Sequence, residues 1–146
     1  MGYLIGQLFG NALYEEIVFR GFLFVQLLLH FNRPVRRRFS FAAALVISQV
    51  IFALSHVPNF VWVDDKTLFD ALASTDLIFV SGLLLALVYW RTRNLLLVVV
   101  IQALRNEPTA IIAAPSVIFV YTTLLLVVSI ILFWPRAWAK PQPVNT

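Results

Sequence analysis

A few polar side chains interrupt otherwise apolar stretches of this chain, and they fall into three groups with a spacing of four residues. The groups are Glu15 and Glu16 with Arg20, His56 behind Phe52, and Gln102 with Asn106. Residues four apart lie on the same face of a helix. An ionisable group inside a membrane segment is costly and is by default a functional-site hypothesis. Three such groups in one small chain predict a single buried site.

These residue types suit the activation of a water molecule. A carboxylate that is partly removed from water becomes a stronger base, which favours Glu15 as a general base. His56 can hold a water molecule or help to deprotonate it. The side-chain amide of Asn106 or Gln102 can donate a hydrogen bond to a developing oxyanion. The combination is typical of a water-activating hydrolase, and we predict catalytic roles for all four residues.

Glu16, Arg20 and Phe52 are predicted to support the site structurally. Adjacent helix residues point about 100° apart, so Glu16 cannot share the task of Glu15. It can instead neutralise Arg20, one turn further along the helix. A purely structural role is also the alternative for the other polar residues, since a membrane histidine or amide often serves as an interhelical hydrogen-bond partner.

The composition indicates a membrane protein. Hydrophobic residues make up 61% of the 146 residues, charged residues only 12%, and the mean hydropathy is +0.89. Ordinary soluble domains are less apolar and more highly charged. Since a helix needs about 20 apolar residues to cross a bilayer, we predict five spans, at residues 3–31, 41–57, 68–90, 94–114 and 116–134, the fourth bent or broken near Pro108. The predicted fold class is all-α, a polytopic transmembrane bundle of about five helices.

We predict one domain, residues 1–135, followed by a short polar tail, residues 136–146. Basic residues follow the first, third and fifth predicted helices: Arg33, Arg36, Arg37, Arg38, Arg91, Arg93, Arg136 and Lys140. Short cytoplasmic loops are enriched in Lys and Arg, so these loops are expected inside and the N-terminus outside. We expect a multi-pass protein of the bacterial plasma membrane, with membrane lipid and no nucleic acid as a partner.

At the polar positions the sequence resembles the CPBP intramembrane proteases, which include CAAX prenyl-protein endopeptidases and Abi-type bacteriocin-processing or immunity proteins. Glu-Glu-x-x-x-Arg is present as Glu15, Glu16 and Arg20, and Phe-x-x-x-His as Phe52 and His56. Gln102 and Asn106 occupy the place of the family's His-x-x-x-Asn motif. The resemblance covers about residues 9–106, and it departs from the family pattern at Gln102.

The resemblance implies hydrolysis of a peptide bond within or beside the membrane, in a membrane-associated substrate such as a prenylated CAAX-type peptide. The first glutamate, Glu15, and the histidine, His56, would activate water. The last motif, here Gln102 and Asn106, would stabilise the oxyanion. We expect no cofactor, because a lone core histidine with carboxylates is a poor zinc set, although a divalent metal such as zinc is the alternative. Gln102 cannot carry a proton as histidine can, so reduced activity is expected.

Two other functions stay open at this stage. The first is a proteolytically inactive family member that acts as a membrane binding or bacteriocin-immunity protein. The second is a transporter or channel subunit, which would predict broken helices in two corresponding halves, and the sequence has no such repeat. Because relatives usually have several earlier spans, partner helices are expected if the chain is truncated.

Overall fold

The computed structural model describes residues 5–31, 37–106 and 116–134, and all regular structure in these ranges is helical. The helices are α1 (residues 5–31), α2 (Arg37–Leu54), α3 (Val57–Trp62), α4 (Leu68–Ala73), α5 (Thr75–Thr92), α6 (Leu95–Asn106) and α7 (Ser116–Phe133). The predicted all-α bundle is thereby confirmed. The predicted bend near Pro108 and the tail, residues 136–146, lie outside the described residues, and the domain boundary stays a prediction.

The first helix is wound in two ways along its length. Gln7–Ala12 and Ile17–Phe24 are π-helical, and the intervening turn Leu13–Glu16 is α-helical, as is the final stretch Val25–Phe31. π-Helical turns are uncommon and occur frequently at functional sites. The sequence pattern predicted a helix here but gave no sign of the π winding. The turn that carries Glu15 and Glu16 thus lies between two widened segments.

The second predicted span is bent rather than ended near residue 57. Pro58 has no backbone N–H and cannot continue the hydrogen-bond ladder, so α2 ends at Leu54 and α3 begins at Val57. Between them the N–H of His56 donates to the carbonyl of Ala53 at 3.2 Å, a tighter, three-residue bond. The predicted boundary at 57 therefore marks a kink, and the helical stretch runs on to Trp62.

Helices α5 and α6 form an antiparallel pair joined by a tight turn. Arg93 adopts a left-handed conformation with φ of 54°, and its N–H donates to the Tyr89 carbonyl at 2.7 Å. Asn94 then accepts a hydrogen bond from the N–H of Leu97 at 3.1 Å and so caps the start of α6. The turn brings the first half of α5 to the level of the second half of α6.

Helix α5 is central to the bundle. It packs against α2 on one side and against α6 and α7 on the other, while α1 packs against α2 and α6. The main apolar core lies between α5, α6 and α7 and contains Leu85, Val88, Val98, Ile101, Val127 and Ile130. A second cluster joins α1 to α6 through Ala12, Val99 and Ala103. These small side chains let the two helices approach closely.

Two helical stretches are long and apolar enough to cross a membrane by length and composition, Phe39–Trp62 and Leu68–Thr92. Two shorter apolar helices, Leu95–Asn106 and Tyr121–Phe133, accompany them. Large apolar side chains such as Phe9, Trp62 and Phe69 are 75–82% exposed on the outside of the bundle. Exposed apolar surface of this extent is typical of contact with a membrane or another protein.

Candidate active site

Glu15, on the α-helical turn of α1, is contacted from two other helices. Its Oε2 accepts a hydrogen bond from Nε2 of Gln102 on α6, and its Oε1 lies 3.8 Å from Nε2 of His56. A carboxylate oxygen only accepts, so the amide nitrogen of Gln102 is the atom that must face it. The structure therefore brings three of the predicted catalytic residues, Glu15, His56 and Gln102, into one site.

The kink before Pro58 fixes the orientation of the His56 ring. Because the N–H of His56 bonds to Ala53, the carbonyl of Phe52 is left for side chains, and it accepts from Nδ1 of His56 at 2.9 Å and from Oγ of Ser55 at 2.7 Å. A carbonyl can only accept, so Nδ1 carries the proton in this contact. With Nδ1 engaged in this way, Nε2 is the ring nitrogen that faces Glu15.

Phe52 connects His56 to the other polar pair. Its ring meets the imidazole edge to face, with centroids 4.9 Å apart, and packs in the same way on Phe19 at 5.0 Å. The guanidinium carbon of Arg20 lies 4.0 Å from the centroid of the Phe52 ring, a cation–π contact. Phe52 is almost completely buried, so these contacts form in the absence of water.

Glu16 and Arg20 form a fully buried ion pair. Nη1 of Arg20 lies 3.0 Å from Oε1 of Glu16, and neither side chain is exposed. Removal of one partner from a buried pair of this kind strongly destabilises the fold, because the other charge is left uncompensated. The predicted pairing of Glu16 with Arg20 is present, and Phe52 lies where it can link that pair to His56.

Sequence reasoning missed two residues beside this pair, Gln49 and Gly82. A Cβ atom on Gly82 would lie 2.7 Å from Oε1 of Gln49, 3.0 Å from Phe52 and 3.3 Å from Arg20. Gln49 is fully buried and donates to Oγ of Ser48 at 2.9 Å. Both could have been found by the signal that identified the others, a polar or small residue within an apolar helix.

Asn106, the fourth predicted catalytic residue, is the last residue of α6 and is half-buried. It lies one turn beyond Gln102, so the two amides share a helix face. The amide nitrogen of Gln102 is directed at Glu15, which differs from the expected orientation toward an oxyanion. The role of oxyanion donor is therefore a prediction that now falls chiefly to Asn106.

Oε1 of Glu15 and Nε2 of His56 lie close enough together to accept hydrogen bonds from one water molecule. Two acceptors 3.8 Å apart can each receive one hydrogen bond from the same water, one on Oε1 of Glu15 and one on Nε2 of His56. Both hydrogens of that water are then engaged, and a lone pair of its oxygen is free to attack an electrophile. In such an arrangement Glu15 would be the group that takes the proton, and His56 the group that orients the water.

The same residues do not fit a zinc site. A catalytic zinc ion takes three protein ligands, and Glu15 with His56 provides two while Glu16 is held by Arg20. Within residues 5–31, 37–106 and 116–134 no group of three or more histidine, aspartate or glutamate side chains is placed to hold a metal ion.

Comparison with known proteins agrees with the motifs. A family model described as type II CAAX prenyl endopeptidase Rce1-like matches residues 1–107, a range that includes every predicted site residue. No curated protein and no solved structure matched the chain. The resemblance drawn from the three motifs is confirmed at the level of the family.

Proposed function

Because the chain belongs to the Rce1-like family of type II CAAX prenyl endopeptidases, we propose that it hydrolyses a peptide bond with a water molecule held between Glu15 and His56. The observation that carries this proposal is the placement of one carboxylate between an imidazole and an amide that come from different helices. Three elements have to pack together to create it, which supports a role beyond the pairing of neighbouring helices.

The proposed reaction begins with transfer of a proton from the water to Glu15 as the water oxygen attacks the scissile carbonyl carbon. A tetrahedral intermediate forms, and its oxyanion accepts a hydrogen bond from the amide of Asn106. Glu15 then returns the proton to the leaving nitrogen, the C–N bond breaks, and a carboxylic acid and an amine are released. Nδ1 of His56 stays bonded to the Phe52 carbonyl throughout and fixes the ring.

In this proposal Gln102 contributes to catalysis by holding the carboxylate of Glu15 in place. Its amide donates to the oxygen of Glu15 that does not face His56, so the remaining oxygen is directed at the water. Where the family pattern has histidine, this chain therefore uses an amide that orients the base.

The proposed substrate is a membrane-associated peptide with a prenylated cysteine near its C-terminus. The family description names prenyl endopeptidases, and the exposed apolar exterior supports access from lipid. We also propose that the chain is a multi-pass membrane protein of a bacterial plasma membrane, with its two longest apolar stretches, Phe39–Trp62 and Leu68–Thr92, among the spans.

The test is cleavage of prenylated and unprenylated peptides by the detergent-purified chain and its variants. Glu15→Gln should lower kcat by on the order of 10²- to 10⁴-fold, because general-base catalysis is lost. Asp64→Asn, which neutralises an exposed loop carboxylate, is the matched control and should cleave normally. Gln102→His should cleave at least as fast as the native chain if an amide limits the rate. No cleavage by the native chain or by Gln102→His would refute hydrolysis.

A further inference from the structure

Gln49, on α2, is a fully buried amide whose orientation is fixed by its neighbour Ser48. Nε2 of Gln49 donates to Oγ of Ser48 at 2.9 Å, and the Ser48 hydroxyl in turn donates to the Leu45 carbonyl at 2.9 Å. Because the hydroxyl hydrogen is engaged with Leu45, Oγ can only accept from Gln49. The NH₂ group of the amide therefore faces Ser48, and Oε1 is the end that is left for another partner.

The oxygen of this amide lies beside the guanidinium of Arg20. A Cβ atom on Gly82 of α5 would lie 2.7 Å from Oε1 of Gln49 and 3.3 Å from Nη2 of Arg20. The two atoms therefore border the same point and can be no farther apart than the sum of these distances, a gap that one water molecule can bridge. Both atoms are buried, and neither has a hydrogen-bond partner among the described residues.

Arg20 needs a second polar partner because Glu16 engages only one side of it. Nη1 of Arg20 lies 3.0 Å from Oε1 of Glu16, while Nε and Nη2 have no acceptor among the residues that the structure describes. A guanidinium carries its N–H donors in a rigid plane, and a buried donor without an acceptor is costly. The oxygen end of the Gln49 amide dipole is the polar group that lies on the Nη2 side.

We propose that Gln49 is a positioning residue of the active site, which holds the guanidinium of Arg20 in place through Oε1. The guanidinium carbon lies 4.0 Å from the centroid of the Phe52 ring, and the ring and the carbonyl of Phe52 both contact His56. A guanidinium that turns away would displace the ring on which the imidazole packs. Gln49 therefore acts on His56 through Arg20 and Phe52, without touching the reacting atoms. This inference rests on the proposed function, in which His56 orients the water.

Unfolding of the full chain in detergent tests the contact between Gln49 and Arg20 without any cleavage. Gln49→Met, a change to an apolar side chain of similar size, should lower the unfolding midpoint, because Nη2 of Arg20 loses its acceptor. The same substitution should cost clearly less in the Arg20→Met background, since the effects of two residues in contact are not additive. The lost hydrogen bond to Ser48 is common to both backgrounds and cancels. A neutral Gln49→Met, or an equal loss in both backgrounds, would overturn the proposal.

A carboxylate moved from α1 to α2 shows whether this position reaches the guanidinium. Glu16→Gln leaves Arg20 buried without a counter-charge and should lower the unfolding midpoint. Gln49→Glu added to Glu16→Gln should raise the midpoint again, because a carboxylate oxygen then lies on the Nη2 side of Arg20. Gln26→Glu is the matched control, since Gln26 is exposed on α1, and it should not rescue Glu16→Gln. Failure of Gln49→Glu to rescue, or equal rescue by Gln26→Glu, would refute the contact.

Cleavage kinetics test the influence of Gln49 on His56. Gln49→Met should lower kcat by about tenfold, less than the effect of a 1 Å displacement, and leave KM unchanged, because Gln49 acts only through Arg20. Ser48→Ala, which frees the amide to turn, should lower kcat in the native chain and have no effect in the Gln49→Met background. Gln26→Met should change neither kcat nor KM.

The two sets of measurements separate this proposal from the proposed function. Coupling between Gln49 and Arg20 in unfolding, with no cleavage by the native chain, would refute hydrolysis alone. Cleavage with unchanged kcat in a folded Gln49→Met variant would refute the positioning role alone, as would an equal effect of Ser48→Ala in both backgrounds.

Discussion

Phe52 contacts both the buried ion pair and His56. Its ring lies between the guanidinium of Arg20 and the imidazole of His56, and its carbonyl accepts the Nδ1 proton. A desolvated cation–π contact contributes about 2 kcal/mol, comparable to the aromatic contacts that Phe52 makes. The position of the imidazole thus depends on a charge that takes no part in the reaction itself.

A charge-removal series separates the structural role of Glu16 and Arg20 from chemistry. Arg20→Met should lower the free energy of unfolding by about 3–5 kcal/mol, because the carboxylate of Glu16 is left buried and unpaired. The double variant Glu16→Gln with Arg20→Met should recover most of that loss. Thermal or denaturant unfolding in detergent measures both. If the double variant were as unstable as Arg20→Met, mutual neutralisation of Glu16 and Arg20 would not explain the loss of stability.

At the scale of the helices, the site depends on two local departures from regular structure, the π winding of α1 and the kink at Pro58. Pro58 is visible in the sequence, but whether a proline ends a helix or bends it depends on what packs around it. The π winding leaves no mark on an apolar pattern. The three polar groups in the sequence therefore predicted one shared site for Glu15, His56, Asn106 and Gln102. That Gln102 is the amide in contact with Glu15 depended on helix rotations, which only the packing determines.

Restoring a backbone donor at the kink should disturb His56. In Pro58→Ala the new N–H can bond to the Leu54 carbonyl, the helix can straighten, and the His56 N–H competes with Nδ1 for the Phe52 carbonyl. We expect kcat to fall by on the order of 10²-fold, the effect of a misplacement of about 1 Å, while stability is kept or raised. Unchanged kcat in a stable Pro58→Ala variant would show that the kink does not determine the orientation of the His56 ring.

The contact between α5 and the α1–α2 pair requires a residue without a side chain. Gly82→Ala should cost about 1–3 kcal/mol of stability and lower activity, because the added methyl group meets Gln49 and Phe52 at 2.7 and 3.0 Å. Gly10→Ala is the control, since nothing lies within 4 Å of its new Cβ and alanine favours a helix. Equal tolerance of both substitutions, measured by unfolding and cleavage, would argue against close packing at Gly82.

At the scale of the whole molecule, the apolar composition and the lengths of the apolar runs predicted the all-α bundle that the described residues form. An apolar chain with few charges has to bury its polar groups against one another, so the polar residues of different helices gather at one place. The same reasoning could not identify the partly open apolar pocket between α5, α6 and α7, because its walls are mostly ordinary apolar residues. Their arrangement around an opening depends on how α5, α6 and α7 cross.

The predicted membrane topology can be tested cleanly because the chain contains no cysteine. A cysteine at Asp64, in the exposed loop before α4, should react with a membrane-impermeant maleimide in intact cells. A cysteine at Asn94, in the turn between α5 and α6, should react only after permeabilisation, since the basic loops are predicted to be cytoplasmic. The reverse labelling would invert the orientation, and labelling of both in intact cells would contradict a span between them.

The most direct measurement is a single turnover of a prenylated peptide by excess native chain in H₂¹⁸O, followed by mass spectrometry of both product and protein. If Glu15 activates water, the first product already carries one ¹⁸O in its new carboxylate and the protein carries none. An unlabelled first product with ¹⁸O in Glu15 would mean that the carboxylate attacks the peptide directly. That result, or the absence of any product, would contradict the mechanism.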